Sequence, residues 1–189
     1  MLPLLLTRPG SRVILVASDM HLGGVVDWSD LDNTTLRGTS NALTVYSNSK
    51  LAMVLYAQQL AVRHPCLCVL ALTPGFVETY FLKQTSWFER ATTWLAYKLI
   101  AATPEQGAQS SIWAATAPEA GVVTGSYGYV RHCRKTVSSH TVMNDGVSGT
   151  RLWAETRKRL AEAGAIGIHE TKFSGLLVED GIKRFLVIN

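Results

Sequence analysis

One tyrosine and one lysine stand four residues apart in a segment with helical periodicity. They are Tyr46 and Lys50, within VYSNSKLAM at residues 45–53. Side chains four apart on a helix lie on one face, so the lysine ammonium can stand close to the phenol ring. A phenol with its ordinary pKa of about 10 transfers protons poorly near neutrality, and a nearby ammonium favours the phenolate. The pair is therefore a candidate for general acid–base catalysis.

Ser18 carries a hydroxyl that could hold a substrate oxygen against such a phenol. It directly follows RVILVA at residues 12–17, a short apolar run rich in β-branched residues. Such runs are typical of a strand that is buried on both faces of a parallel sheet. Because ligands of open α/β sheets bind at the carboxyl ends of the strands, the sequence predicts that Ser18 lies at a ligand site.

A helix and a second strand would position these residues. Residues 41–62 have helical periodicity, and one apolar stripe is formed by Leu51, Val54, Leu55 and Ala61. After them comes CLCVLAL at residues 66–72, a second buried-strand pattern that ends at Pro74-Gly75. Strand, helix and strand in this order predict a right-handed βαβ unit with parallel strands.

Two more helix starts follow. Ser86, with a glutamate three residues on, predicts a helix that runs to about Ala102. Thr103 and Gln106 predict a capping box, with a proline in the first turn, for a helix that ends near Ala117.

The remaining pattern completes the fold class. Residues 125–130 predict a third strand, and residues 150–163 predict a last helix that stops at Gly164. The sequence therefore predicts an α/β fold with a parallel sheet.

Length and composition indicate one folded domain. The chain has 189 residues, of which 47% are hydrophobic, so it can bury a core. No apolar run approaches the roughly 20 residues that cross a bilayer, and the opening MLPLLL is not interpreted as a signal peptide. The cysteines are three, an odd number without metal-type spacing, which favours buried thiols and an intracellular, reducing compartment.

The net charge of +4 does not by itself indicate a nucleic-acid partner. The positive residues are scattered except for one group on the last predicted helix, formed by Arg151, Arg157, Lys158 and Arg159. Glutamates are interleaved with this group, as on a solvated helix face. We therefore expect no nucleic-acid binding.

Four motifs occur in an order that resembles one enzyme family. They are RVILVAS, YSNSK, TPGFVET and TPEQGAQSSIWAATAPE. Over about residues 5–160 the chain resembles the short-chain dehydrogenase/reductases, most closely the retinol dehydrogenase and WW-domain oxidoreductase group. The resemblance implies the C-terminal part of a Rossmann-like, doubly wound parallel sheet, with about three strands retained.

The resemblance also implies an NAD(P)-dependent oxidoreductase that interconverts an alcohol and a carbonyl. Tyr46 would be the acid/base at the substrate oxygen. Lys50 would promote its ionisation and hold the nicotinamide ribose hydroxyls. Ser18 would orient the substrate oxygen. Whether the cofactor is NAD or NADP stays open.

Tyr46 would also contact the cofactor, and further residues would hold the cofactor and the substrate. By the resemblance, Pro74, Gly75 and Val77 would line the nicotinamide pocket, and Thr79 would reach the cofactor phosphates. Residues 80–102 would form the substrate lid. A lipophilic, retinoid- or steroid-like substrate is suggested by aromatic and aliphatic residues in that segment, which could equally be core residues: Trp87, Phe88, Trp94 and Leu95.

The glycine-rich turn T-G-x-x-x-G-x-G of the family is not found in the sequence. That turn binds the cofactor pyrophosphate. TGSYGYV at residues 124–130 and AGAIGI at residues 163–168 lack its spacing or its strand context. The alternative hypothesis is therefore an inactive, truncated fragment or isoform that acts, if at all, through protein interaction.

Both ends of the chain bear on this alternative. The chain is expected to begin just past the catalytic asparagine of the family, which would leave the edge of the 12–17 strand bare and open to homo-oligomeric pairing. Residues 1–164 would be a partial family domain and residues 165–189 a tail outside the family. The tail predicts a hairpin that turns at Asp180-Gly181 and could cover the bare edge. Membrane association, as in relatives, is left open.

A serine hydrolase built on Ser18, Asp19 and His21 is a third hypothesis. The serine lacks a G-x-S-x-G elbow, and the three residues are too close in sequence for the usual geometry. We expect His21 to be a structural hydrogen-bonding residue. The other histidines have no metal spacing, so no metal site is predicted.

Overall fold

The computed structural model describes residues 2–8, 10–36, 41–77, 101–121, 127–136, 138, 140–164 and 185–188. In these residues, five strands form one sheet in the order β4-β3-β2-β1-β5. The strands are β1 (Arg12–Val16), β2 (Cys68–Thr73), β3 (Tyr127–Arg131), β4 (Arg134–Thr136) and β5 (Phe185–Ile188). The helices are α1 (Leu2–Leu6), α2 (Ala42–Arg63), α3 (Pro104–Thr116) and α4 (Ser148–Glu162).

The three central strands are parallel and carry helices on both faces. Val13 of β1 pairs with Val69 of β2, and Leu70 of β2 pairs with Gly128 of β3. Alternate side chains of a strand face opposite sides. Thus Val13 packs in a cluster with α2 and α4, whereas Ile14 packs in a cluster with α3. The predicted α/β fold with a doubly wound sheet is confirmed.

Helix α2 buries the stripe that the periodicity predicts. Leu51, Val54, Leu55 and Ala61 are all buried against the sheet. On its outer side, Tyr56 stacks on Trp153 of α4, with ring centroids 4.9 Å apart. This packing fixes the helix that carries Tyr46 and Lys50.

Helix α3 is held at both ends. The predicted capping box is confirmed, because the Thr103 and Gln106 side chains exchange hydrogen bonds with each other's backbone N–H groups. At the other end Arg12, which is only 2% exposed, donates from its guanidinium to the carbonyls of Ala114 and Ala117, each at 2.8 Å. These contacts fix the carboxyl end of α3 beside the start of β1.

Strand β4 lies outside the strands that the pattern predicts, whereas β5 falls in the tail for which a hairpin was predicted. Strand β4 runs antiparallel to β3, and the turn between them consists of His132 and Cys133, with φ of 48° and 55°. Such left-handed turns are usually marked by Asn-Gly or Asp-Gly. The pair here carries no such mark, which is why β4 is missed.

Strand β5 pairs parallel with β1 on the side away from β2. The tail therefore does lie along the edge that was expected to be bare, and pairing of another chain with β1 itself is not available. The predicted hairpin turn at Asp180-Gly181 lies outside the described residues. The division at residue 164 into a partial family domain and a tail stays a prediction, and so does the homo-oligomer.

The rest of the helical pattern is settled in part. Helix α4 ends at Glu162, and Gly164 has the left-handed φ of 69° expected of a helix stop. The helix predicted from Ser86 lies mostly outside the described residues. Ala102, its expected end, forms a parallel bridge with Val77 and is not helical.

The cations of α4 are engaged with neighbouring residues. The Arg151 guanidinium lies 4.3 Å from the ring centroid of Trp28. Arg159 forms ion pairs with Asp32 and Glu155, at 2.7 and 3.0 Å. These contacts agree with a solvated helix face, and the absence of nucleic-acid binding stays a prediction.

Three features concern the compartment and metal predictions. Cys66, Cys68 and Cys133 are free thiols, but only Cys68 is buried as predicted, and the other two are half-buried. Among the residues that the structure describes, no helix has the length and apolar character of a membrane span. Those same residues contain no cluster of three metal-ligating side chains. The intracellular, reducing compartment and the membrane association stay predictions.

Candidate active site

The Lys50 ammonium lies beside Tyr46 and also reaches the sheet. Its Nζ is 5.5 Å from the centroid of the Tyr46 ring, on the same face of α2. Nζ also donates a hydrogen bond of 2.9 Å to the carbonyl oxygen of Val16. This bond attaches the part of α2 that carries Tyr46 and Lys50 to the carboxyl end of β1, where ligands of such sheets bind.

Partial burial changes the proton affinity of this lysine. Removal of water from around the ammonium lowers the pKa of Lys50 below its ordinary value. A partly desolvated ammonium interacts more strongly with neighbouring dipoles and charges than one in bulk water. The lysine is therefore suited to stabilise negative charge on the neighbouring phenol oxygen.

Ser18 lies at the same end of β1. The pairing with β2 continues past Val16, because the Ala17 N–H donates to the Leu72 carbonyl at 2.7 Å. Ser18 follows in an extended conformation and caps a 3-10 helix at Asp19–Gly23. Its Oγ accepts a hydrogen bond of 3.2 Å from the Met20 N–H. The structure thus brings Ser18 and Lys50 together at the carboxyl end of β1, as predicted.

The segment after Ser18 is packed onto the first turns of α2. A side chain at Gly24 would place its Cβ 2.6 Å from the Ser47 carbonyl oxygen, so only glycine fits without movement. The Val25 N–H donates to Asn48 Oδ1 at 2.8 Å, and Asn48 Nδ2 donates to Asn33 Oδ1 at 2.6 Å. These contacts hold the Ser18 segment against the helix that carries Tyr46.

Asn48 is a site-building residue that the sequence interpretation missed. Its side chain is buried. In sequence it lies between Tyr46 and Lys50, three residues before the buried Leu51. A polar residue on the apolar stripe of a helix is the signal that could have identified it.

The residues after β2 lie at the same carboxyl end of the sheet. The Gly75 N–H donates to Thr73 Oγ1 at 3.2 Å, and Gly75 has a left-handed φ of 83°. Pro74 is half-buried beside it. Val77 pairs with Ala102 and packs against Gly107 of α3. Pro74, Gly75 and Val77 therefore follow β2 at the end of the sheet where Ser18 follows β1.

Some predicted site residues cannot be placed. Thr79 lies outside the described residues, and so does all of the predicted lid except residues 101–102. Trp87, Phe88, Trp94 and Leu95 belong to that undescribed part. Their roles stay predictions.

The hydrolase hypothesis is wrong in its geometry. His21 Nδ1 lies 2.7 Å from the carbonyl oxygen of Ser18 and is not bonded to its Oγ. The Ser18 hydroxyl instead accepts from the Met20 N–H. A catalytic histidine must bond the nucleophile's hydroxyl. His21 is instead a hydrogen-bonding residue that supports the backbone at Ser18.

Comparison with known proteins identifies related chains, although no family model matches. Polyprenol dehydrogenase of Mus musculus is 34% identical over 155 residues, which cover 77% of this chain and 43% of that protein. Retinol dehydrogenase 13 of Homo sapiens is 32% identical over 78% of this chain and 45% of its own length. Dehydrogenase/reductase SDR family member 13 of Bos taurus is 33% identical over 84% of this chain and 42% of its own length.

The chain thus spans a little under half the length of these curated relatives. A crystal structure of an uncharacterized protein from Mycobacterium Paratuberculosis matches with a TM-score of 0.52 and 22% identity, over 78% of this chain and 50% of that one. That likeness supports a Rossmann-like fold. From the relatives and the arrangement of the four motifs, the chain belongs to the short-chain dehydrogenase/reductase family.

Proposed function

We propose that the chain carries the acid–base centre of an NAD(P)-dependent oxidoreductase that interconverts an alcohol and a carbonyl. The observation that carries the proposal is the partly buried Lys50 ammonium, which lies beside Tyr46 and donates to Val16 at the carboxyl end of β1. Relatives named as dehydrogenases support it.

Each of three residues has a role that follows from its position. In the reducing direction, the Tyr46 hydroxyl donates its proton to the substrate oxygen, and Lys50 stabilises the phenolate that remains. Ser18 donates a hydrogen bond to the same oxygen and holds it in place. In the oxidising direction the Tyr46 phenolate removes the proton of the alcohol. The nicotinamide, when bound, supplies or accepts the hydride.

The residues after β2 fit the flat nicotinamide ring. Gly75 has no side chain, and among the described residues no atom lies within 4 Å of the place where a Cβ would stand. A planar group would therefore meet no side chain of those residues there. Pro74 and Val77 would add apolar contacts, and Lys50 would reach the ribose hydroxyls. Thr79 would bind the phosphates, as the family resemblance implies.

Exposed apolar side chains beside Ser18 and Tyr46 support a lipophilic substrate. Met20 and Leu22 follow Ser18 and are 38% and 48% exposed. Leu43, which is 59% exposed, lies three residues before Tyr46 and so on the same helix face. Two relatives are named for polyprenol and retinol, which are lipophilic alcohols. We propose a substrate of that class for this chain.

Cofactor titration tests the proposal directly. NADH and NADPH are added to the purified chain while the cofactor fluorescence is followed. We expect saturable binding that Lys50→Ala weakens about tenfold or more, because a hydrogen bond from a charged group is lost. Lys158→Ala removes an exposed lysine of α4 and is the matched control.

Turnover separates the two halves of the site. Tyr46→Phe should bind the cofactor like the unsubstituted chain but fail to reduce a lipophilic aldehyde. If a chain with a folded circular dichroism spectrum binds neither cofactor at millimolar concentration, the oxidoreductase proposal is overturned for this chain. The inactive interaction protein would then be the better hypothesis.

A further inference from the structure

His21 is a buried histidine inside the candidate active site. It lies three residues after Ser18 and is only 1% exposed. Its two ring nitrogens both have close partners. Nδ1 lies 2.7 Å from the carbonyl oxygen of Ser18, and Nε2 lies 2.7 Å from Oγ of Ser138.

The partners determine which nitrogen carries the proton. A carbonyl oxygen can only accept, so Nδ1 must carry a proton and donate it to Ser18. In the neutral ring Nε2 is then an acceptor, and the Ser138 hydroxyl donates to it. Burial lowers the pKa of His21, which favours this neutral form. The Ser18 carbonyl therefore selects the tautomer that donates to it, and the Ser138 hydroxyl holds the other side of the ring.

We propose that His21 is the positioning residue of Ser18, a role that rests on the proposed oxidoreductase function. Its Nδ1–H fixes the Ser18 carbonyl and with it the extended backbone at the end of β1. The Met20 N–H occupies an acceptor site on Ser18 Oγ, so the hydroxyl proton points away from Met20. The fixed backbone aims that proton at the substrate oxygen.

Side chains of β3 and a histidine after β4 hold His21 and its segment in turn. The Tyr129 hydroxyl of β3 lies 3.4 Å from Nδ1 and donates to Asp19 at 3.2 Å. Asp19 also forms an ion pair of 3.3 Å with Arg131. His140 Nε2 lies 3.0 Å from the Gly24 carbonyl oxygen, at the end of the same 3-10 helix. The turn after Ser18 is thus connected to β3 and to residues 138–140.

Two substitutions of His21 separate the two bonds. In His21→Asn the side-chain N–H occupies the place of Nδ1 and can still donate to Ser18. In His21→Gln the amide reaches the place of Nε2 and retains only the contact with Ser138. Positioning predicts that Gln lowers kcat for aldehyde reduction about tenfold, as for one lost hydrogen bond. The loss with Asn should be several-fold smaller, and the Kd for NADPH should change in neither.

A purely structural role predicts a different result. The two variants would then lose kcat in proportion to their losses of melting temperature, with no advantage for Asn. That outcome would overturn the proposal. Ser138→Ala leaves His21 in place and keeps the test open if either variant fails to fold. It should lower kcat without changing the Kd for NADPH, because the His21 ring loses its contact with Ser138, and an unchanged kcat would count against the positioning role.

An NMR measurement on the full chain distinguishes this proposal from the proposed function. With ¹⁵N-histidine and ¹³C-serine labels, the Nδ1–H···O=C bond gives a scalar coupling between His21 and Ser18. We expect the coupling in the unsubstituted chain and its weakening in Ser138→Ala. Coupling without any turnover would overturn the oxidoreductase function and leave His21 as the anchor of Ser18. Turnover without coupling would overturn the positioning role alone.

Discussion

The Lys50 ammonium donates a hydrogen bond of 2.9 Å to the carbonyl oxygen of Val16, the last residue of β1. This contact joins the middle of α2 to the carboxyl end of β1. Ser18 lies two residues after Val16, at the same end of the strand. A lysine that served only the cofactor would not need to bond the strand. Lys50 therefore has a role in the fold in addition to its proposed role in catalysis.

Replacing Lys50 by methionine should lower the free energy of unfolding by about 1–3 kcal/mol, because the partly buried Val16 carbonyl loses its side-chain donor. Methionine retains most of the aliphatic chain, so packing changes little. Urea unfolding followed by circular dichroism measures the effect. Lys158→Met, on the exposed face of α4, should change stability by less than about 0.5 kcal/mol. Equal effects of the two substitutions would contradict the prediction.

Gly24 and Gly23 offer a matched pair for the contact between the Ser18 segment and α2. Gly24→Ala should destabilise the chain by about 1–3 kcal/mol, because its Cβ would meet backbone that cannot easily move. Among the described residues, the Cβ of Gly23→Ala would meet no atom within 4 Å, so that variant should unfold like the unsubstituted chain. Thermal melting of both variants checks the prediction. A stable Gly24→Ala chain would show that the segment is less tightly packed.

Arg12→Lys should lower the free energy of unfolding by about 1.5–3 kcal/mol, since one ammonium cannot reach both carbonyls that the guanidinium now bonds at the end of α3. Within the described residues Arg12 Nε has no partner, so the site depends on the two terminal nitrogens. Denaturant unfolding measures the loss. Arg134→Lys, at an exposed position of β4, is the control. A loss no larger than that of the control would argue against the capping role.

His21 should make the chain less stable in mild acid. Burial lowers its pKa from the ordinary 6.5, while the Ser18 carbonyl and the Asp19 charge oppose that change and the His140 charge adds to it. Between the lowered pKa and 6.5 the unfolded chain binds more protons than the folded chain. The contribution of the neutral His21 to the free energy of unfolding is therefore fully present above pH 6.5, and it declines as the pH falls through this range.

The difference between two pH series isolates this effect. Urea unfolding of the unsubstituted chain and of His21→Asn is compared from about pH 7.5 down to about pH 5. The charged and titratable groups around His21, which are Asp19, Arg131 and His140, are present in both series. The unsubstituted chain should lose more stability than the variant over this range. Parallel series would mean that the histidine takes up its proton in the folded state without cost.

The parts of the site that were predicted from sequence depend on local patterns. The i, i+4 spacing places Tyr46 and Lys50 on one helix face, and a strand that ends at Ala17 places Ser18 at a sheet edge. Neither inference needs a long-range contact. The capping box at Thr103 is local in the same way.

The parts that were missed depend on residues far apart in sequence or on unmarked turns. His21 and Ser138 are separated by 117 positions, and no periodicity connects them. The left-handed turn at His132-Cys133 lacks the glycine or asparagine that would indicate a hairpin. Arg12 is likewise an unusual choice for a buried strand, and its acceptors become visible only when α3 is packed on the sheet.

The bridge between Val77 and Ala102 has a consequence for protein engineering. The Ala102 N–H donates to the Phe76 carbonyl at 2.8 Å, so the two ends of the 78–101 segment are held side by side. A segment with adjoining ends can be exchanged for one of another length, and each doubling of length costs only about 0.6 kcal/mol in closure entropy. Grafting segments from other family members would therefore test the predicted lid role of residues 80–102 while Ser18, Tyr46 and Lys50 stay in place.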